Sequence, residues 1–513
     1  MKKLLAIAFM LSGLMFITSC TEDTVDPDNG VTISGLTAAV SIENLGTYGP
    51  VTVTFEGADG LASVSLTKDG AAYGDTTFTG APTTASLEFG YTATEADEDA
   101  NIVFVFTATD ADGDVESSTV VISVGEATPP RETIVLSGVI DEDMTLTPDG
   151  FYELAGRVIV TGGATLTIEP GTIIKGRLGE GSNASVLMIA RDGMIDAEGT
   201  AEKPIIFTSV NDNIALGALS GTNLTATDNQ LWGGVVILGN APISVEAGTS
   251  AQIEGVPASE PLGQYGGDNA THSSGTFKYV SLRHGGTTID PVAGNDINGL
   301  TLGGVGSGTV ISNIEVFANY DDGIEFFGGS VNVTNVLVYT VGDDGLDVDQ
   351  AYSGTIDNFL VYTSTAASSD EGLEIDGPEG SENATGKFSI KNGTITSVDG
   401  GGSGADFKSK AQGSVTNVKW ANFTGGSTVK IRASFNADCT VKTDAMSHLT
   451  AGDLSFTTVE FAAIKVYSDQ DCATELAAAQ ASAEASVTIG TATGVSDATV
   501  FASWTAAAQA GLL

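Results

Sequence analysis

Between His284 and Gly386 the chain carries 17 acids and not one Lys or Arg. The acids recur in a pattern. Asp321-Asp322, Asp343-Asp344 and Asp370-Glu371 each stand before a glycine, an apolar residue and another acid: Gly323-Ile324-Glu325, Gly345-Leu346-Asp347 and Gly372-Leu373-Glu374. With Gly299-Leu300-Thr301 these triplets follow one another at 24, 22 and 27 residues, and Asp349 and Asp376 lie two positions further on. If Ile324, Leu346 and Leu373 point into a core, then Glu325, Asp347 and Glu374 point out and stack on one another. Like charges about 5 Å apart repel by roughly 3 kcal/mol at an effective dielectric of about 20. Something must relieve that repulsion. A hard divalent cation with oxygen ligands, calcium first, makes Glu325, Asp347, Asp349, Glu374 and Asp376 candidate metal ligands. A hydrated acidic surface with splayed side chains is the alternative. In a third arrangement, Phe407 aligns with Leu373, and Lys408 and Lys410 then close the ladder as partners of Glu374 and Asp376.

Paired carboxylates also suit glycoside hydrolysis, where one acts as acid and the other as base or nucleophile. Asn319-Tyr320-Asp321 and Asp343-Asp344 lie 22 residues apart. This resembles the acidic segments of polygalacturonase-like hydrolases, and Lys430-Ile431-Arg432 is similar to their later basic motif. The resemblance would make Asp321, Asp343 and Asp344 the catalytic candidates. The Gly-His-Gly segment expected between these motifs is missing, and the chain reads Asp370-Glu371-Gly372-Leu373 there. Recurrence of Asp-Asp-Gly on successive repeats also reads as repeat consensus rather than one unique site. His272, His284 and His448 offer no nucleophile–base arrangement. Tyr339 and Tyr362 share a repeat position and are expected to pack, as is Trp420, a platform for sugar rings being the alternative.

The elements that hold these acids show in a second register. Asn313, Asn335, Asn358, Asn392 and Asn417 recur at 22, 23, 34 and 25 residues. Two before each stands an aliphatic residue (Ile311, Val333, Ile356, Ile390, Val415), and three after each stands Val316, Val338, Val361, Ile395 or Trp420. A period of this length means one solenoid coil per repeat. Asparagine tolerates the left-handed turn, and stacked amides can bond along the axis. The 34-residue step implies an insertion between Gly377 and Gly386, and longer loops are expected at 211–231, 256–275 and 287–296. Ala164–Gly176, Gly199–Thr208 and Trp232–Ile237 resemble phrases of right-handed parallel β-helix proteins, the pectin-lyase-like fold. The expected class is therefore all-β: a right-handed parallel β-helix over residues 126–435, preceded by an immunoglobulin-like β-sandwich over 31–125. Asp110–Asp114 in that sandwich reads as a solvated hairpin turn, calcium binding being the alternative although the full EF-hand spacing and its terminal Glu are missing. A cap is expected over 436–513, with helix near Ala473–Ala485 and a second short helix within Ala502–Leu513.

Lys2 and Lys3 precede an apolar run from Leu4 to Ile17 that ends at Ser19-Cys20. The run is too short for a membrane span. Small residues before a cysteine resemble a bacterial lipobox, which implies a signal peptide at 1–19, a lipid anchor on Cys20 and a tether over 20–30. Acids directly after Cys20 are similar to the surface-export signal of Bacteroidota lipoproteins, so display on the outer membrane is implied. That leaves Cys439 and Cys472, which an oxidising compartment would join in a disulfide, free buried thiols being the alternative. The whole chain has 513 residues, 65 acids against 20 bases, a net charge of −45 and a mean hydropathy of +0.15. Such a charge excludes a nucleic-acid partner. A monomer is expected.

Three functions follow. The first is a non-catalytic binding or adhesion module that presents an acidic β-helix face to a glycan or other surface ligand. The second is a calcium-assisted polysaccharide lyase or glycoside hydrolase. The third is a purely structural surface protein. A cleft over Asp321, Asp343 and Asp344 would favour the second, because catalysis needs converging groups.

Overall fold

The computed structural model describes residues 30–513 except 44, 99, 126–132, 257–259, 291–294 and 427. The expected signal peptide, the expected lipid anchor at Cys20 and nearly all of the expected tether lie outside the described residues. The chain divides into two compact units after Arg131.

The first unit is a β-sandwich. One sheet runs Thr32–Ser34, Thr47–Glu56, Thr84–Thr92; the other runs Ala39–Ile42, Val115–Val124, Asn101–Asp110, Leu61–Lys68, Ala71–Thr77. Strict alternation in Asn101–Asp110 sends Ile102, Phe104, Phe106 and Ala108 inward, where they meet Val53, Phe55, Phe89 and Ile122. The acidic hairpin is a turn: Asp110 Oδ1 accepts from the backbone N–H of Asp112, Gly113 and Asp114.

The second unit is the all-β solenoid that the repeats describe, with three parallel sheets. One of them bears the acids. It runs from Val235–Leu238 and Leu300–Gly303 through Ile324–Phe327, Leu346–Asp349 and Leu373–Ile375 to Ala405–Phe407, Thr428–Arg432 and Ala463–Tyr467. Ile324, Leu346 and Leu373 point inward and are fully buried. All five asparagines sit in the left-handed region, with φ of 54–59°. Their amides bond from coil to coil, Asn358 Nδ2 to Asn335 Oδ1 at 2.8 Å and Asn417 Nδ2 to Asn392 Oδ1 at 2.9 Å. The ladder breaks once. Asn392 donates to Asp357 instead, after the insertion that lengthens the preceding coil.

The parallel stack does not end at residue 435. Leu454–Thr457 and Ala463–Tyr467 add another coil, paired in register with Gly413–Ala421 and Thr428–Arg432. Thr458, with φ of 53°, stands where the asparagine would be, and residues 436–453 separate it from the previous coil, so the repeat signature is lost while the fold continues. A hairpin-like loop, helix α1 (Ala445–Ala451) and helix α2 (Ala473–Ser486) cover that end. Cys439 and Cys472 are joined across it, Cα to Cα 5.6 Å.

Residues beyond 490 do not belong to that cover. They run back along the side of the solenoid as a strap. Asn417 Oδ1 accepts from the N–H of Thr493, Thr394 Oγ1 from Val495, and Asn358 Oδ1 from Ser496 and Asp497. Further on, Phe501 and Ala506–Ala507 lie buried against Phe317, Leu337, Tyr339 and Leu360. Tyr339 and Tyr362 pack there with ring centroids 5.1 Å apart, and Trp420 is in the solenoid core.

Candidate functional site

The register fixes which side chains neighbour each other on the outer face of the acidic sheet. One row reads Met188, Val236, Thr301, Glu325, Asp347, Glu374, Asp406, Lys430, Lys465. The row is apolar at its start, acidic in the middle and basic at its end. The apolar part is covered: Ile243, Val245, Ile253 and Tyr265 from the long insertion after Leu238 pack over Met188, Val236 and Phe327. This cover changes the expected picture of the acids. Glu325 and Asp347 do not stand on an open face; they are 7% and 8% exposed, and Glu374 is half-buried. Non-repeating loop sequence covers them, which is why coil periodicity alone points to a surface.

The expected partner register is also off by two. Asp406, not Lys408, pairs with Glu374, and Ile375 lies beside Phe407. Lys408 still reaches both acids, Nζ lying 2.6 Å from Glu374 and 3.3 Å from Asp376, whereas Lys410 reaches neither. Lys430 pairs with the buried Glu371, and Arg432 holds Asp406 through two parallel bonds of 3.1 and 2.6 Å. Bases therefore neutralise the far end of the ladder. Among the described residues, no base lies within ion-pair distance of Asp322, Glu325, Asp344 or Asp347.

Part of the acid repeat is structural. Asp322 Oδ1 accepts the backbone N–H of Asp344 at 2.8 Å, and Asp344 Oδ1 accepts that of Glu371 at 2.6 Å. Each carboxylate thus ties its coil to the next, which accounts for the Asp-Gly consensus. The remaining oxygens converge. Three sets of carboxylate oxygens lie within 4.8 Å of one another: Asp321, Asp322 and Asp343; Asp322, Glu325 and Asp347; Asp344, Asp347 and Glu374. Asp347 belongs to two of them, and its buried Oδ1 has no hydrogen-bond partner. Asn298 donates to Glu325 and Thr301, and its own Oδ1 is also without a partner. A buried acceptor left unpaired costs about 1–3 kcal/mol. Of the other ligand candidates, Asp349 and Asp376 flank the same line one row over, half-buried.

The electrostatics follow from burial. Asp322, Glu325 and Asp347 are pushed well above the ordinary carboxylate range, first by loss of water and then by Asp321, Asp322 and Asp349 respectively. Burial, then Asp322, lifts Asp344 to about 11. Asp349 is raised by burial and by Asp376. Asp321 is raised to about 7 by burial, with Asp296 and Asp343 adding to it.

The three catalytic candidates separate. Asp321 and Asp343 line an open cavity of about 400 Å³ together with Tyr320 and Asp296. Asp344 does not reach it and lies buried behind, held by the next coil. Asn319 donates to the backbone carbonyl of Asp322, positioning the acid pair. Sequence reasoning passed over Asn298 and Asp296, which lie in or beside loops without a repeat; the acid-free apolar row before Thr301 was the available sign that this face is covered.

One family comparison matches the solenoid. No curated protein sequence matches the chain. Solved structures overlap it weakly. The family 28 exopolygalacturonase of Yersinia enterocolitica is 10% identical over 86% of this chain and 96% of its own, with a TM-score of 0.18. The catalytic domain of a GH87 α-1,3-glucanase is 12% identical over 86% and 93%, with a TM-score of 0.22. The fibronectin(III)-like modules of Clostridium thermocellum CbhA are 18% identical over 19% and 99%, with a TM-score of 0.14. Overlaps of this size assign no activity. Residues 138–509 match the model of the pectate-lyase-like β-helix domain, and the chain belongs to that family.

Proposed function

We propose that this protein is a non-catalytic, cation-dependent glycan-binding β-helix, displayed on the outer membrane through a lipid on Cys20. The observation that carries the reading is Asp347: a buried carboxylate with an unpartnered oxygen at the shared corner of two carboxylate triads. The donors are all oxygen and all hard, which suits calcium. Asp322, Glu325, Asp344, Asp347 and Glu374 would hold the ion, which would replace the missing base at the centre of the ladder. Asp321 and Asp343 connect that centre to the open cavity, where sugar hydroxyls can reach them.

Calcium titration of the chelator-treated full chain by isothermal calorimetry tests this. Binding is expected, with at least a tenfold loss in Asp347→Asn. Equal binding by the variant, or none by the parent, would overturn it. Immobilised acidic and neutral polysaccharides, probed with and without calcium, then read the glycan half.

One observation favours the enzymatic reading: Asp321, raised to about 7, faces the cavity beside Asp343. A carboxyl in that range is a competent general acid at neutral pH. If the cavity is an active site, the parent releases reducing or unsaturated ends from a polysaccharide, and Asp321→Asn cuts the rate by about 10²-fold or more. Turnover that survives in Asp321→Asn would exclude this cavity as its source.

A further inference from the structure

At the solenoid's C-terminal end, on the far side of Lys408 from Glu374, two cavities adjoin. The first, about 670 Å³, is lined by the bases Lys408, Lys410, Arg432 and Lys442 and by the acids Glu246, Glu379, Asp444 and Asp469, with Tyr467 among others. The second, about 480 Å³, lies between α1, α2 and the loop that the Cys439–Cys472 disulfide ties down. Its lining includes Phe435, Val441, Met446, Ala451, Ala478 and Ala479, together with Lys442 and Glu475. Ala433, Ser434, Phe435 and Lys442 line both, so the polar and apolar chambers share one boundary. Each volume lies in the range of small-molecule sites, about 300–1,000 Å³.

The charges in the first chamber are unequally engaged. Arg432 is held by Asp406, and Lys408 by Glu374 and Asp376. Asp444 is saturated by the N–H groups of Lys410 and Ala445 and by Ser434 Oγ, and Glu379 accepts from Gln350. Among the described residues, Lys410 and Lys442 have no carboxylate within ion-pair distance. Lys410 is also fixed in place: with φ of 68° it occupies a strained left-handed turn, clamped by Asp444 at its N–H and His448 at its carbonyl. Two unpaired ammonium groups in a protein of net charge −45 sit where an apolar chamber opens. Val441, which lines that chamber, is 68% exposed among the described residues.

We infer that this paired cavity binds a single-chain aliphatic carboxylate, its head between Lys442 and Lys410 and its chain against Phe435, Met446 and the alanine face of α2. The apolar wall supplies the attraction and the lysines select the charge.

Decanoate is the probe, compared with acetate and with decyl maltoside by calorimetry on the full chain. Decanoate is expected to bind one to one and acetate not at all, with decyl maltoside at least tenfold weaker than decanoate. Lys442→Gln should weaken decanoate about tenfold and leave decyl maltoside unchanged. Ala478→Phe, on an exposed position that fills the chamber, should abolish decanoate binding, and its melting curve confirms that it folds. Equal affinity for decanoate and decyl maltoside would overturn the assignment of an anionic ligand. Unaltered decanoate binding in Ala478→Phe, or no binding by the parent, would overturn the site.

Discussion

With divalent cations chelated, the protein is expected to melt lower at pH 8 than at pH 5, and calcium should restore part of the difference. The sign follows from proton linkage. In the unfolded chain every Asp and Glu loses its proton near pH 4. In the folded chain Asp322, Glu325 and Asp347 hold theirs far longer because burial and each other's charge oppose ionisation, and Asp344 does so up to about 11. The folded state therefore binds more protons than the unfolded one above pH 4. Its stability is complete below that point and is lost as pH climbs toward the folded values. Each carboxyl protonated only in the folded chain costs about 1.4 kcal/mol per pH unit. Asp97 and Asp399, both lowered by hydrogen bonds from Thr94 and Thr365 respectively, act with the opposite sign, but their window closes near pH 4. His272 and His284, both lowered by burial, also act in reverse below about pH 6.5, as two groups against a larger set of raised carboxyls.

Calcium needs ionised ligands, so it competes with these protons and its effect must grow with pH. At 100 times its dissociation constant a ligand adds about 2.7 kcal/mol. In a unit of this size that is about 3–5 °C of melting temperature at pH 8, shrinking toward nothing at pH 5. Differential scanning calorimetry across pH 4–8, in chelator and in millimolar calcium, reads both arms. A calcium shift of equal size at both ends would place the ion away from the buried carboxylates. A flat chelator profile would mean that other bases or water relieve them.

What could be read from the sequence was what repeats. The five asparagines and their flanking apolar residues recur on five successive coils, so turn, inward face and register were legible there, and the structure places each in its expected role. The acids were legible for the same reason. Their burial was not, because the insertion carrying Ile243, Val245, Ile253 and Tyr265 occurs once and has no period. The last coil escaped because Thr458 substitutes for asparagine and residues 436–453 intervene. The strap escaped too, although the sequence held a sign of it. At the outward positions next to Glu315 on the following coils stand Leu337 and Leu360, with Phe317 and Tyr339 two further on. Large apolar residues stacked on an outward row of three coils require a cover.

Glu315→Ala is expected to be the most damaging single substitution in the solenoid, and the damage should begin at the strap. Glu315 is fully buried and engaged on every side. Its oxygens accept the N–H groups of Ala506 and Ala507 at 2.7 and 2.9 Å and the hydroxyl of Ser281 at 2.5 Å. Ser281 in turn accepts from Arg283 Nε at 2.7 Å. Arg283 is buried, and its Nη2 already lacks a partner. Burial lowers its pKa, and Glu315 is the largest influence opposing that. Removing the carboxylate strands two strap amides and takes from Arg283 its nearest compensating charge. Breaking one side of such a buried arrangement costs about 3–5 kcal/mol. Solenoids open locally before they melt globally, so the loss should appear first as release of residues 490–513. Limited proteolysis would then cut the variant within that segment under conditions where the parent resists. Glu315→Gln, which keeps an acceptor for one amide and loses the charge, should fall between the two. If Glu315→Ala left both the melting temperature and the strap's protease resistance unchanged, the apolar packing of Phe501, Ala506 and Ala507 would be holding the strap alone, and Arg283 would draw its compensation from Asp212.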